Sequence, residues 1–252
     1  MSTVDYAGRH GYEAPSGDGQ ERLFDGIPAR IFLQPIAAPS ILGLFGFMAA
    51  TLMVGANMAG WYGDARTPSF LFPFAAVFGG IAQLAAGLWS YRARDALATA
   101  IHGAWGSFWI AYGILWLLVV TGNLTLPLPG QAFPALALWF IGLAAITWSG
   151  ALASLAESVA IFGVLSTLAT ASTIAAVSLF VGDESWVKVA GWVFVFSAGL
   201  AWYTATAMML AATSGRTVLP LGKFTKTANR PGGRPVQAVE FAAGEPGVHR
   251  GQ

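Results

Sequence analysis

The 252-residue chain carries 56% hydrophobic, 13% aromatic and only 10% charged side chains, with a formal net charge of +1 and no cysteine. An ordinary soluble domain has roughly 25% charged residues, so this composition cannot clothe a water-facing surface; the missing cysteines also exclude disulfides, thiolate catalysis and cysteine-ligated metal. Balanced charge without a basic stripe excludes nucleic acid as a partner.

The 13 basic and 12 acidic residues all lie outside five uncharged windows, 31–63, 67–91, 96–156, 158–182 and 189–215. Each window exceeds the about 20 apolar residues that a helix needs to cross the hydrocarbon of a bilayer. Lipid offers no partner for an open backbone hydrogen bond, so a spanning segment is a helix or part of a closed barrel. Runs this long favour helices, because barrel strands alternate over about 10 residues. The predicted fold is an all-α integral membrane protein, a bundle of six transmembrane helices.

In chain order, residues 1–35 form an N-terminal tail. Its first 20 residues are rich in glycine and charge, lack the apolar run of a signal peptide and are expected to be disordered. Residues 22–35 mix Leu23, Phe24, Ile27, Ile31, Phe32 and Leu33 with Arg22 and Arg30. They read either as an amphipathic segment lying along the headgroups or as an irregular linker.

The transmembrane domain is placed at 36–222, with spans at 39–59, 70–90, 99–120, 133–155, 159–181 and 189–211. The long 96–156 window is divided by Gly122, Asn123, Pro127, Pro129, Gly130 and Pro134, a dense run of turn residues. Residues 223–252 combine glycine, proline and charge without periodicity and are expected to be a disordered tail. Six spans put both termini on one side. Of the 13 basic residues only Arg66 and Lys188 would then face the opposite side, so the positive-inside rule makes the termini cytoplasmic and the protein a multi-pass component of the cell membrane.

None of the spans contains Asp, Glu, Lys or Arg. Proton relays, voltage sensors and retinal Schiff bases need such residues inside the membrane, and they are excluded here. His102 is the only span histidine, which argues against paired haem ligation. No cofactor is expected, and the protein is read as carrying out no covalent chemistry.

A pathway for something small is compatible with the uncharged polar groups that remain. On the first span Gly43, Phe47, Ala50, Val54 and Asn57 share one face. On the second, Gly79, Gln83 and Gly87 recur at i+4, with Gly80 adjacent; on the third, His102, Trp105, Gly106 and Trp109 form a stripe. The glycines also suit simple close packing of helices, and Gln83 can be an interhelical hydrogen-bonding tie as readily as a pathway amide. Asn57 can cap its helix, and His102 can be a structural histidine near a membrane interface. Phe47 and Trp105 can narrow a pore, yet most aromatic residues in such a chain pack or face lipid.

Several stretches resemble the acetate uptake transporter family, whose members are succinate/acetate permeases in bacteria and ammonia- or acetate-export proteins in fungi. They are Leu42-Gly43-Leu44-Phe45-Gly46-Phe47; Phe78-Gly79-Gly80-Ile81-Ala82-Gln83 with Gly87 and Tyr91; Gly106-Ser107-Phe108-Trp109; and Gly215-Arg216-Thr217-Val218-Leu219-Pro220-Leu221-Gly222. The family signature Asn-Pro-Ala-Pro-Leu-Gly-Leu is met here by Ala38-Pro39-Ser40-Ile41-Leu42-Gly43-Leu44, so its leading Asn and second Pro are absent. The family's aromatic constriction falls on Phe47 and on Trp105, where Tyr is usual, and its third, apolar member falls near Leu165 to Leu168.

The resemblance implies a six-helix protomer in a homohexamer, each protomer passing acetate and related small monocarboxylates, succinate included, by proton-linked symport or as a channel. The substrate pathway would comprise Gly43, Phe47, Asn57, Gly80, Gln83, His102 and Trp105, with the small carboxylate and the lipid bilayer as partners. Two other readings stay open: a channel for another small neutral solute such as ammonia, and a non-transporting membrane scaffold. The altered signature at Ala38 and Ile41 favours the scaffold, whereas Gln83 and the Gly46-Phe47 pair favour transport.

Overall fold

The computed structural model describes residues 36–224 and, before them, the backbone of two short strands, β1 (Leu23–Phe24) and β2 (Ile27–Pro28). These pair antiparallel, Leu23 opposite Pro28 and Phe24 opposite Ile27. The rest of the candidate amphipathic segment, the first 20 residues and most of the C-terminal tail lie outside the described residues.

Six helices are each long and apolar enough to cross a membrane: α1 (Ser40–Met58), α2 (Pro68–Ala93), α3 (Ala96–Val120), α4 (Pro134–Ser154), α5 (Val159–Val181) and α6 (Glu184–Ser214). The chain is a multi-pass membrane protein of the all-α class. Leu88, Leu152, Phe196 and Trp202 stand out from the helix surfaces, as apolar residues do on helices that cross a bilayer. Trp61 and Trp192 meet edge-on at 5.0 Å beside the C-terminal end of α1, both about half exposed, as interfacial aromatic residues do.

Helix ends differ most from expectation at α6, which starts at Glu184 rather than near residue 189. Asp183 accepts hydrogen bonds from the backbone N–H groups of Ser185 (2.8 Å) and Trp186 (3.4 Å), and Glu184 occupies the first turn. Acidic groups stabilise a helix start by satisfying its free donors and its dipole. The charged stretch that closes the uncharged window is therefore cap and first turns, not loop. Asp183→Ala is expected to cost about 1 kcal/mol, read as a lower melting temperature of the detergent-purified protein.

At the other end of the molecule α2 stops at Arg94, the one described non-glycine residue with a positive φ (56°). Asp95 then caps α3 by accepting from Ala98 N–H at 3.0 Å. A two-residue turn thus sets α2 antiparallel to α3.

Within α2, residues Ala75–Ala82 form a π-helix that starts two residues after Pro73, a residue with no N–H to give to the α-helical ladder. The widened backbone brings the Phe78 carbonyl oxygen against Gly46 of α1, where a Cβ would overlap it. Farther along, a Cβ on Gly87 would lie 2.7 Å from Gly103 N, and one on Gly106 would lie 2.6 Å from Leu84 N. Close packing is therefore what Gly87 and Gly106 provide between α2 and α3. Gly103 differs, since a Cβ there would meet nothing.

The remaining packing joins α1 to α6, α6 to α5 and α5 to α4. Gly55 and Gly191 let the α1 and α6 backbones meet: a Cβ on Gly191 would overlap the amide nitrogen of Ala59 and sit 2.7 Å from the Gly55 carbonyl oxygen. Beyond α6 the chain turns back at Gly215 (φ 68°). The carbonyls of Gly222 and Leu221 accept from Val159 N–H (2.8 Å) and Ala160 N–H (3.1 Å), supplying free donors at the start of α5 with partners. Tyr203 Oη adds a hydrogen bond to the Pro220 carbonyl at 2.6 Å. The fragment from Gly215 to Gly222 is thus a backbone cap for a neighbouring helix.

Candidate functional site

Because α1 and α3 pack with their faces in register, the stripes singled out above can be followed as layers from the chain-terminal end of the bundle outward. Innermost are Gly43, His102 and Gln83. Gly43 carries the His102 ring directly above it, since a Cβ there would lie 2.5–2.6 Å from three ring atoms. Gln83 Nε2 lies 3.4 Å from His102 Nδ1, the amide donating in the tautomer that holds its ring proton on Nε2. Both side chains are buried, Gln83 at 1% exposure and His102 at 5%.

One turn outward, Phe47 and Trp105 meet edge-on with ring centroids 6.1 Å apart, and both are buried. Trp105 Nε1 donates to Thr147 Oγ1 of α4 at 2.9 Å, and that hydroxyl donates in turn to the Leu143 carbonyl at 2.6 Å. The hydrogen-bonded chain holds the indole against rotation. Leu165 and Leu168 of α5 are buried in the same hydrophobic core as this aromatic pair.

Beyond Trp105 a cavity of about 540 Å³ opens among α1, α3, α4, α5, α6 and the 121–133 loop. Its walls are largely aromatic and aliphatic, with Leu126 and Pro127 of the loop at one side and Asn57 at the end of α1. Phe133 N–H donates to the Leu179 carbonyl at 2.7 Å and ties the loop to α5. Asn57 Nδ2 donates to the Tyr62 carbonyl at 3.1 Å, so it secures the chain leaving α1 as well as lining the cavity. Tyr62 Oη donates to the Met53 carbonyl at 2.7 Å, and partial burial raises its phenol above the usual value, keeping it protonated as a donor.

Most buried hydroxyls in the bundle are occupied within their own helix; Ser90, Ser172 and Thr204, for example, donate to carbonyls four residues back. Against that background three buried polar atoms among the described residues lack a partner: Thr51 Oγ1, Gln83 Oε1 and Trp109 Nε1. An unsatisfied buried polar group is unfavourable unless something pairs with it. All three lie on the α1–α2–α3 side of the bundle, one in the inner layer and two on residues that line the cavity.

The fold thus brings Gly43, Phe47, Gln83, His102 and Trp105 together around one axis and sets Asn57 at its outer end. Gly80 is placed elsewhere: a Cβ on it would meet Ile110 of α3 at 2.8 Å, which makes it a packing contact. Thr51 and Trp109 line the cavity and Thr147 holds Trp105, although the sequence reading did not select Thr51 or Thr147 and placed Trp109 only on a stripe. Trp109 carried a signal through that stripe. Thr51 and Thr147 are hydroxyls in apolar helices, outside any stripe, and carried none.

Six membrane-crossing helices with a cavity among them, one wall of which is Trp105, define a membrane protein of the transporter or channel architecture. The sequence profile of the GPR1/FUN34/yaaH family matches residues 25–226, and the chain belongs to that family. Similar proteins include the succinate-acetate/proton symporter SatP of Escherichia coli (strain K12), 26% identical over 188 residues that cover 75% of this chain and 96% of that one. Acetate permease A of Emericella nidulans is 25% identical over 221 residues, 82% of this chain and 72% of its own. Ammonia transport outward protein 2 of Saccharomyces cerevisiae is 24% identical over 174 residues, 68% and 61% of the two chains. Among solved structures, that of the bacterial acetate channel SatP superposes with a TM-score of 0.67 at 24% identity, covering 74% of this chain and 99% of that one.

Proposed function

We propose that the protein carries acetate and related small monocarboxylates, with succinate in its range, across the cell membrane, its termini lying in the cytoplasm. The observation that carries this reading is the layering along one axis: an apolar cavity, the Phe47–Trp105 closure, and behind it a buried amide with an unpaired oxygen, Gln83. Names of relatives in the same family support the substrate class. No fixed cation stands along the axis, so a bare carboxylate would lose its hydration without compensation. The protonated acid crosses at far lower cost, and Gln83 can donate to its carbonyl oxygen and accept from its hydroxyl. Transport coupled to a proton follows from that choice of species, with Asn57 offering an amide at the entrance and His102 a ring nitrogen beside Gln83.

The test is uptake of labelled acetate into proteoliposomes. Uptake should rise as the external pH falls toward acetate's own titration range, and Gln83→Ala should lower it about tenfold, the equivalent of one hydrogen bond to a polar substrate. A rate indifferent to both the proton gradient and Gln83→Ala would overturn the mechanism. A homohexamer in which every protomer holds its own route is the assembly we propose, to be read from the mass of the purified particle. The ammonia-transport names among the relatives favour a second reading, passage of a small neutral base through the same uncharged lining. Vesicle swelling in ammonium salts against acetate salts separates the two.

A further inference from the structure

Helices α3 and α4 meet closely along their inner halves. There a Cβ on Gly150 would lie 2.5 Å from Ile101 Cδ1, Trp105 Nε1 donates to Thr147 Oγ1 at 2.9 Å, and the Phe108 and Phe140 rings meet edge-on at 5.5 Å. Even so, they pack the most lightly of any two consecutive membrane-crossing helices. Outward of Phe108 and Phe140, Ala111 and Leu115 of α3 and Leu136 and Trp139 of α4 line the cavity. Two of these also belong to the outer surface: Ala111 is exposed on the face that carries Ser107, Ile114 and Leu118, and Trp139 is 50% exposed. Residues that are cavity wall and protein surface at once mark a gap, and this one lies between α3 and α4. Ala111 stands nine residues before the end of α3 at Val120, roughly 14 Å along the helix axis. That depth is inside the hydrocarbon of a bilayer whose apolar layer is about 30 Å thick.

The cavity measures about 540 Å³, and its walls offer water little to hold. A buried water needs roughly two to four polar partners. Ser178 already donates to the Ala175 carbonyl at 2.9 Å, Thr51 Oγ1 and Trp109 Nε1 present almost no surface, and Asn57 stands at the outer end. Left empty, the space would forfeit the dispersion contacts of its aromatic walls; a dry apolar cavity of about 150 Å³ already takes up benzene. We propose that an acyl chain of a bilayer phospholipid enters between α3 and α4 and fills this cavity, its tail lying against Phe108, Phe140 and Phe194 on the outer side of Trp105. The inference stands apart from the transport reading, since it needs only the gap, its depth and the apolar walls behind it.

The test places the intact protein in nanodiscs of phosphatidylcholine that carries a diazirine near the end of one acyl chain. After irradiation the modified residues are assigned by tandem mass spectrometry. The expected result is adducts at Phe108, Phe140 and Phe194, which are 6%, 8% and 4% exposed and out of reach of lipid that stays at the protein surface, beside adducts at the outward-facing Leu88 and Trp202. A water-soluble diazirine should leave the three phenylalanines unmodified. Ala111→Trp, which sets an indole in the gap, should reduce the phospholipid adducts at Phe140 and Phe194 and leave those at Leu88 and Trp202 unchanged, the latter showing that the bundle is intact. Phospholipid adducts confined to outward-facing residues would overturn the proposal. So would adducts at the three phenylalanines from the water-soluble reagent, which would make the cavity a hydrated vestibule, or phospholipid adducts there that Ala111→Trp does not reduce. The chain has no cysteine, so Ala111→Cys reports the other occupant of the gap: a disulfide-linked dimer on oxidation would mean that a second copy covers it and would overturn the proposal as well.

Discussion

Truncating Trp105 to alanine is expected to destabilise the protein by about 3–5 kcal/mol and to open the route between the outer cavity and Gln83. The indole is almost completely buried, packs edge-on against Phe47 and, at 5.4 Å, against Phe108, and donates to Thr147. All of these contacts vanish together, and the space left behind joins the cavity. Melting of the purified protein should fall by several degrees, and proteoliposomes should admit solutes larger than acetate that the native protein holds back. Trp105→Phe separates the two contributions. It keeps a ring against Phe47 and loses only the donor to Thr147, whose hydroxyl stays satisfied by the Leu143 carbonyl, so selectivity should change far less than with alanine.

Gly46→Ala is expected to act on a different element, the contact between α1 and the π-helical stretch of α2. The added methyl would overlap the Phe78 carbonyl oxygen, which is backbone and cannot swing aside as a side chain can. Overpacking of this kind costs about 1–3 kcal/mol, and relief requires α1 and α2 to separate. Gln83 would move with them, since its Cβ lies 3.6 Å from the position of the new methyl. We expect acetate uptake to collapse in parallel with the loss in melting temperature. Gly142→Ala and Gly199→Ala, where a Cβ meets nothing within 4 Å, should leave melting and uptake near native values. Equal behaviour of all three variants would show that the α1–α2 contact is not the sensitive one.

How much of this was legible in the sequence follows from which physical signals survive in one dimension. Hydrocarbon excludes charge so strongly that five uncharged windows, the longest divided by its turn residues, give six crossings, and the observed helices fall on all of them. The ends were less legible, because Asp183 and Glu184 read as loop by composition yet serve a helix start through their local hydrogen bonds. The π-helix of Ala75–Ala82 was illegible, since its residues have the same apolar character as an α-helix and only Pro73 hints at the disturbance. In the site, periodicity at i+3 and i+4 brought out the face from Gly43 to Asn57 and the stripe from His102 to Trp109, and these align in space. Adjacency misled at Gly80, because one residue along a helix points in another direction and meets another neighbour: a Cβ on Gly79 would meet Ala50 and Trp109, one on Gly80 Ile110. Thr147 acts across 42 positions of sequence, a distance that no local pattern spans.

The meeting of Gly55 and Gly191 has a consequence for biosynthesis. Of the six described helices, α1 is made first and finds its chief neighbour in α6, made last of the six, and the two backbones come closest where Gly55 and Gly191 leave both bare of side chains. Until translation passes Ser214, the nascent bundle therefore keeps one flank unzipped, and the helix made first waits in the bilayer for the helix made last.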